Sequence, residues 1–165
     1  MIIGGQAVLL YGEPRLTKDI DVTLGIGVAE LNRLKAILPR MGLEVLIKDE
    51  VQFVEKTMVL PTWERRSGIR VDLIFSFSPY EMGAIDRARN IRLGKSEVKF
   101  ASPEDVIIHK VIAGRPRDLE DARIILLKNQ GLDSVYIRKW LDEFDRSLGE
   151  TFRGQFEQIY KESMG

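Results

Sequence analysis

Apolar and polar positions divide the chain into an N-terminal part of short strand-like runs and a C-terminal part with helical spacing. Ile2-Ile3 forms a short apolar strand that ends on Gly4-Gly5. Gln6 to Tyr11 is again apolar and is closed by Gly12-Glu13-Pro14; periodicity alone does not separate a helix there from a continuing strand. Glu13 to Lys18 reads as a loop, and Asp19 to Leu24 as a strand ended by Gly25-Ile26-Gly27. Across Val28 to Met41, Leu31, Leu34, Ile37, Leu38 and Met41 recur at helical spacing, with Gly42 as C-cap and Pro39 disturbing the last turn. Leu43 to Ile47 predicts a short strand, and Asp49 to Lys56 a helix on Val51 and Val54 or an irregular segment.

Met58 to Glu64 and Ile69 to Phe77 read as two strands of a hairpin, with Arg65-Arg66-Ser67-Gly68 as its turn and Pro61 suited to an edge. Pro79 to Arg92 predicts a helix carrying Arg87, Arg89 and Arg92, followed by strand and turn around Gly94-Lys95 as far as Ala101. Ser102-Pro103-Glu104-Asp105 opens a helix that runs to Gly114, with Ser as N-cap, Pro in the first position and acids in the first turn. A further helix is expected over Leu119 to Leu127, capped by Asp118 with Asp121 in its first turn. Val135 to Phe144 and Phe152 to Tyr160 complete the chain as amphipathic helices anchored by Trp140, Phe144, Phe152, Phe156 and Tyr160.

Composition narrows the class. The chain has 165 residues, enough for one compact domain with or without a helical annex, and at 44% hydrophobic and 30% charged it belongs with folded proteins. It has no cysteine, which excludes disulfides, thiolate metal sites and cysteine nucleophiles and fits a reducing compartment. No run approaches the roughly 20 apolar residues of a membrane span, and no secretory signal pattern opens the chain, so a cytoplasmic location is expected. Formal net charge is zero, so attraction to nucleic acid rests on local patches such as Arg65/Arg66 and Arg87/Arg89/Arg92.

Candidate chemistry gathers near the N-terminus. Thirteen residues separate Gly5 from Asp19, and Asp19 and Asp21 point to one face of their strand while Ile20 and Val22 point to the other. Two carboxylates held that close repel each other unless a cation or proton lies between them, and Mg²⁺ prefers carboxylate and phosphate oxygens. Glycines without Cβ let backbone approach a phosphate. Alone, Gly-Gly serves as a turn and Asp-x-Asp as a solvated strand face. A third acid, Asp72, joins them from the apolar run Arg70-Val71-Asp72-Leu73-Ile74-Phe75, where a carboxylate is unfavourable without a partner. Arg15, Thr17 and Lys18 lie just before the acid pair, either to hold a nucleotide or to be solvated.

These blocks resemble the DNA-polymerase-β-like nucleotidyltransferase superfamily. Gly4-Gly5-x-Ala7, Tyr11-Gly12, Arg15-x-Thr17-x-Asp19-Ile20-Asp21-Val22, Ser102-Pro103-Glu104-Asp105, Lys110 and Arg117-Asp118-Leu119-Glu120-Asp121 are similar to its AbiEii-type toxin branch, over roughly residues 1–127. Many superfamily members carry Gly-Ser where this chain has Gly4-Gly5, which removes one hydroxyl contact to phosphate. In the family a helix precedes the first strand, so this chain either starts late or dispenses with that helix.

The resemblance implies an α+β fold: a small mixed sheet with helices packed on it, a catalytic core over residues 1–100 and a helical region over 101–165. It implies transfer of a nucleoside monophosphate from a nucleoside triphosphate to an acceptor, with Asp19, Asp21 and Asp72 as catalytic acids and ligands of two Mg²⁺ ions, Mn²⁺ being able to substitute. Gly4, Gly5, Arg15, Thr17 and Lys110 would bind the nucleotide, and Asp118 and Asp121 would support the site. The toxin branch implies the 3′ end of a transfer RNA as favoured acceptor and a cognate antitoxin protein as partner. The alternative is a non-catalytic nucleotide-binding or protein-interaction module that retains the fold.

Overall fold

A computed structural model describes residues 1–76 and 78–164. The chain divides into two compact units, the first made of Met1–Gln6 and Leu16–Phe100 and the second of Ala7–Arg15 and Ala101–Gly165.

The first unit is built on a mixed sheet of seven strands: β1 (Ile2–Ile3), β2 (Asp19–Thr23), β3 (Leu43–Val45), β4 (Val59–Glu64), β5 (Ile69–Ile74), β6 (Arg89–Leu93) and β7 (Ser96–Phe100). Their order is β3-β4-β5-β2-β1-β7-β6. β2 lies between antiparallel β1 and parallel β5, which makes it a central strand. Its register aligns Asp19 with Arg70, Asp21 with Asp72 and Val22 with Leu73. Because side chains alternate along each strand, the two faces have opposite character. Val22, Val71, Leu73 and Leu60 face an apolar core completed by Leu31, Leu34, Leu38, Leu43, Val54 and Phe75. Asp19, Asp21, Arg70 and Asp72 share the other face.

The helices of this unit follow the expected apolar stripes with local adjustments. The Val28–Met41 stripe is three pieces: a 3₁₀ turn at Val28–Glu30, α2 (Leu31–Ile37) and a 3₁₀ turn at Leu38–Met41 that contains Pro39. Gly42 closes it in the left-handed conformation, φ 73°. α3 (Glu50–Thr57) resolves the ambiguous segment as helix, with Val54 buried. The β4–β5 hairpin forms as expected through Ile74; Phe77, where its second strand was expected to end, lies outside the described residues. Pro61 is not on an edge strand, since β4 lies between β3 and β5. Its carbonyl accepts from the Leu46 amide, just past the end of β3, so its nitrogen also faces that side and β5 loses no ladder bond.

The predicted Pro79–Arg92 helix stops early. α4 (Pro79–Asp86) starts with a Ser78–Glu81 capping box, and Arg87 is already its C-cap. Arg89 and Arg92 belong to β6, which pairs with β7 across the two-residue loop Gly94-Lys95. Gly94 has φ 61°, the left-handed value such a tight hairpin needs. Arg87, Arg89 and Arg92 therefore do not share one helix, because the turn signal behind them governs.

The second unit is helical beyond the end of α1 (Gly4–Tyr11), the helix that starts at the glycine pair and whose residues from Ala7 belong here. α5 (Pro103–Ala113) begins as expected, with Ser102 accepting from the Asp105 amide and Gly114 closing it. α6 (Pro116–Lys128) begins three residues before the expected Leu119, because Pro116 supplies the fixed φ of a first helical residue. Asp118 therefore sits inside the first turn and caps nothing. α7 (Ser134–Leu148) and α8 (Phe152–Met164) are longer than expected. Of their predicted aromatic anchors only Phe156 is fully buried; Ile137, Leu141 and Ile159 fill the rest of that core. Among the described residues no helix is long and apolar enough to cross a membrane.

Candidate functional site

The acid face of the first unit follows from strand register. Asp19 and Asp21 are two apart on β2, and Asp72 is the residue directly opposite Asp21 on β5. Like charges directly opposite destabilise a sheet, so this face needs positive charge. Part of it is in the chain: Arg70 Nε donates to Asp72 Oδ1 at 2.8 Å, and Arg70 is itself the strand partner of Asp19. The Arg70 guanidinium is held protonated more firmly than usual, first by its hydrogen bond to Asp72, against some loss of hydration, and then by the charges of Asp72, Asp19 and Asp21. Thr17 Oγ1 donates to Asp19 Oδ1 at 3.3 Å and to the Asp19 carbonyl at 3.4 Å, so it braces the first acid. Gln6 donates to the same carbonyl at 3.5 Å.

Gly4 adjoins this face. It has φ 62°, and a Cβ placed there would collide with Asp21 Oδ2 and come 2.9 Å from its Cγ. The Asp21 carboxylate thus lies against backbone that has no side chain, at the first residue of α1. Gly5, the next residue, is buried. Three hard oxygen donors on one sheet face, with a helix start beside them, suit Mg²⁺ or Mn²⁺ in chemistry. Among the described residues no three carboxylate or histidine groups already converge on one point, and the Asp72 carboxylate is engaged by Arg70.

The remaining predicted residues form a separate charged cluster in the second unit. Lys110 on α5 is buried, and its Nζ donates to Asp118 Oδ1 at 2.6 Å and lies 3.0 Å from Asp121 Oδ2. A buried lysine requires an anion, and here the chain supplies two from α6. Arg15 lies 3.2 Å from Asp121 through its Nη2, and Arg115 pairs with Asp118. Burial pushes the Asp118 carboxyl up, yet hydrogen bonds from Arg115 and Lys110, with their charges, hold it below the ordinary carboxylate range. Arg15, Lys110, Asp118 and Asp121 are therefore brought together, while Gly4, Gly5, Thr17, Asp19, Asp21 and Asp72 belong to the first unit.

Sequence reasoning passed over Arg70. Its signal was its position two residues before Asp72, which puts both side chains on one strand face.

Among curated proteins, no sequence matches this chain. Among solved structures it resembles an antigenic nucleotidyltransferase-like protein from Paracoccidioides brasiliensis, at TM-score 0.52 and 17% identity, over 97% of this chain and 83% of that one. It also resembles a protein of H. pylori assigned provisionally to the nucleotidyltransferases, at TM-score 0.49 and 13% identity, over 99% of this chain and 87% of that one. The second likeness is too slight to carry the fold; the first agrees with a nucleotidyltransferase-like α+β architecture. The family described as nucleotidyl transferase AbiEii toxin, Type IV TA system, matches residues 3–163. That span takes in the acid face, the charged cluster and nearly the whole chain, and the chain belongs to the AbiEii nucleotidyl transferase toxin family.

Proposed function

We propose that this chain is a Mg²⁺-dependent nucleotidyltransferase that moves a nucleoside monophosphate from a nucleoside triphosphate to an acceptor hydroxyl. The observation that carries the reading is the register of Asp19 and Asp21 on β2 with Asp72 on β5, in a chain of the AbiEii family. The acceptor oxygen forms a bond to the α-phosphorus, the bond from that phosphorus to the bridging oxygen breaks, and pyrophosphate leaves. When bound, Mg²⁺ supplies charge neutralisation at the attacking and leaving oxygens. Asp19 and Asp21 would hold two such ions, with Thr17 bracing the Asp19 carboxylate. Asp72 would complete the ligand set and accept the acceptor's proton. The Gly4 and Gly5 amides would contact phosphate oxygens, since residues without Cβ let backbone approach a phosphate, although the Cβ direction of Gly4 is taken by Asp21 and Gly5 is buried.

Arg15 and Lys110 enter as nucleotide-binding residues and Asp118 and Asp121 as their supports. For Lys110 such contact requires release from two carboxylates. The favoured acceptor is the 3′ end of a transfer RNA, the favoured setting is the cytoplasm, and a cognate antitoxin protein is the expected partner, as a toxin–antitoxin family implies.

Incubation with each α-labelled nucleoside triphosphate, Mg²⁺, and separate RNA, protein and small-molecule fractions tests the acceptor. Label entering RNA, and lost after removal of the 3′-terminal nucleotides of transfer RNA, is the expected result. Label entering only protein or small molecules would replace the acceptor while keeping the chemistry.

A further inference from the structure

The Arg70–Asp72 pair has no step in the reaction proposed above, yet it engages one of that reaction's three acids. Arg70 and Asp72 leave the same face of β5, and their partners across β2 are Asp19 and Asp21. The four residues thus form a rectangle with carboxylates at three corners and a guanidinium at the fourth. The Asp72 side chain is 14% exposed and that of Arg70 52%, so the carboxylate is largely covered while its cation reaches solvent. The guanidinium feels all three carboxylates. A positive group among three acids on one face meets part of the electrostatic need that a divalent cation would meet.

We propose that Arg70 is a resident counter-cation of the acid face, which holds Asp72 while no metal is bound and yields it when a divalent cation arrives. The inference rests on the reading of Asp19, Asp21 and Asp72 as the metal site. It makes Arg70 a positioning residue that competes with the metal for Asp72. Its presence weakens metal binding in the empty protein and keeps the opposed acids from repelling each other. The Arg70 end of the pair is exposed, and ion pairs with a solvated partner contribute little to folding, so its removal leaves a folded chain.

Mn²⁺ titration of the whole chain at fixed pH without nucleotide, followed by the electron paramagnetic resonance of the free ion, reads this directly. Arg70→Gln is expected to bind Mn²⁺ roughly three- to tenfold more tightly than wild type, from loss of one competing pair and one repulsive charge. Arg70→Lys, which keeps the charge, is expected to stay close to wild type. Equal or weaker binding by a folded Arg70→Gln overturns the inference, because an arginine that merely aims Asp72 at the metal weakens binding when it is lost. Tightening in Arg70→Lys equal to that in Arg70→Gln overturns it as well. Circular dichroism and melting establish folding, and Arg70→Met, which keeps the apolar stem, replaces the glutamine variant if that one unfolds. Wild-type binding that Asp19→Asn/Asp21→Asn does not diminish removes the metal site itself, and the inference with it. Wild-type binding that the double variant abolishes, without tightening in Arg70→Gln, removes the inference alone.

Discussion

Gly4 and Gly94 have almost the same φ, 62° and 61°, but different surroundings. A Cβ on Gly4 would strike the Asp21 carboxylate, whereas one on Gly94 would meet nothing within 4 Å. Alanine at either position carries the left-handed strain of about 1–2 kcal/mol, measurable by urea unfolding. Only Gly4→Ala is expected also to weaken Mn²⁺ binding and transfer, because it must displace Asp21. Equal effects of the two variants on Mn²⁺ binding would show that the closeness of Gly4 to Asp21 is immaterial. At this scale the sequence was informative about which residues needed partners and silent about where the partners were. Asp72 in an apolar strand and Lys110 in an apolar helical run each signalled an opposite charge. Asp72's partner is Arg70, two residues away; Lys110's are Asp118 and Asp121, eight and eleven residues on. A lysine that needs an anion does not reveal, from sequence, whether the anion is a ligand or part of the chain.

Helices α5 and α6 are pinned by that buried lysine. Lys110→Met would take from Asp118 and Asp121 their shared buried cation and leave them Arg115 and Arg15, so the cost falls below the roughly 3–5 kcal/mol of a buried charge left wholly unpaired. The expected outcome is a drop in melting temperature at neutral pH; an unchanged melt would leave Lys110 to nucleotide binding alone. Acid should act on the same contact. Because the folded Asp118 carboxyl is held below its ordinary value, its contribution is full above about pH 4 and is lost as pH falls through the lowered value. Asp118→Asn is expected to flatten this part of the acid limb of stability. Elements with both a start and a stop signal were legible: the β4–β5 hairpin through its turn, α5 through Ser102-Pro103 and Gly114. Where two signals competed the boundary moved. Arg87, Arg89 and Arg92 suggested helix continuing past Asp86, but Gly94-Lys95 makes a hairpin and so claims Arg89–Leu93 for β6. Asp118 suggested a cap, but Pro116 starts α6 earlier.

For the molecule as a whole, the α+β class and the family were legible because separated blocks occur in the right order, and the family match spans residues 3–163. The register that sets Asp72 opposite Asp21 was not, since pairing between distant strands is fixed by the whole sheet and not by either run. Zero net charge leaves any RNA footprint to local arginines, and some of these are already engaged. Arg65 pairs with Glu44, and Arg92 donates to the Gly94 carbonyl at 3.4 Å.

The measurement that bears most directly on the account uses nucleoside triphosphate labelled at the α-phosphate in one reaction and at the γ-phosphate in another. Each is incubated with Mg²⁺ and RNA, for wild type and for Asp19→Asn/Asp21→Asn. Wild type is expected to move α-label to the acceptor and γ-label to pyrophosphate, and the folded double variant to do neither. Transfer of γ-label to the acceptor, or full transfer of α-label by the double variant, would contradict it.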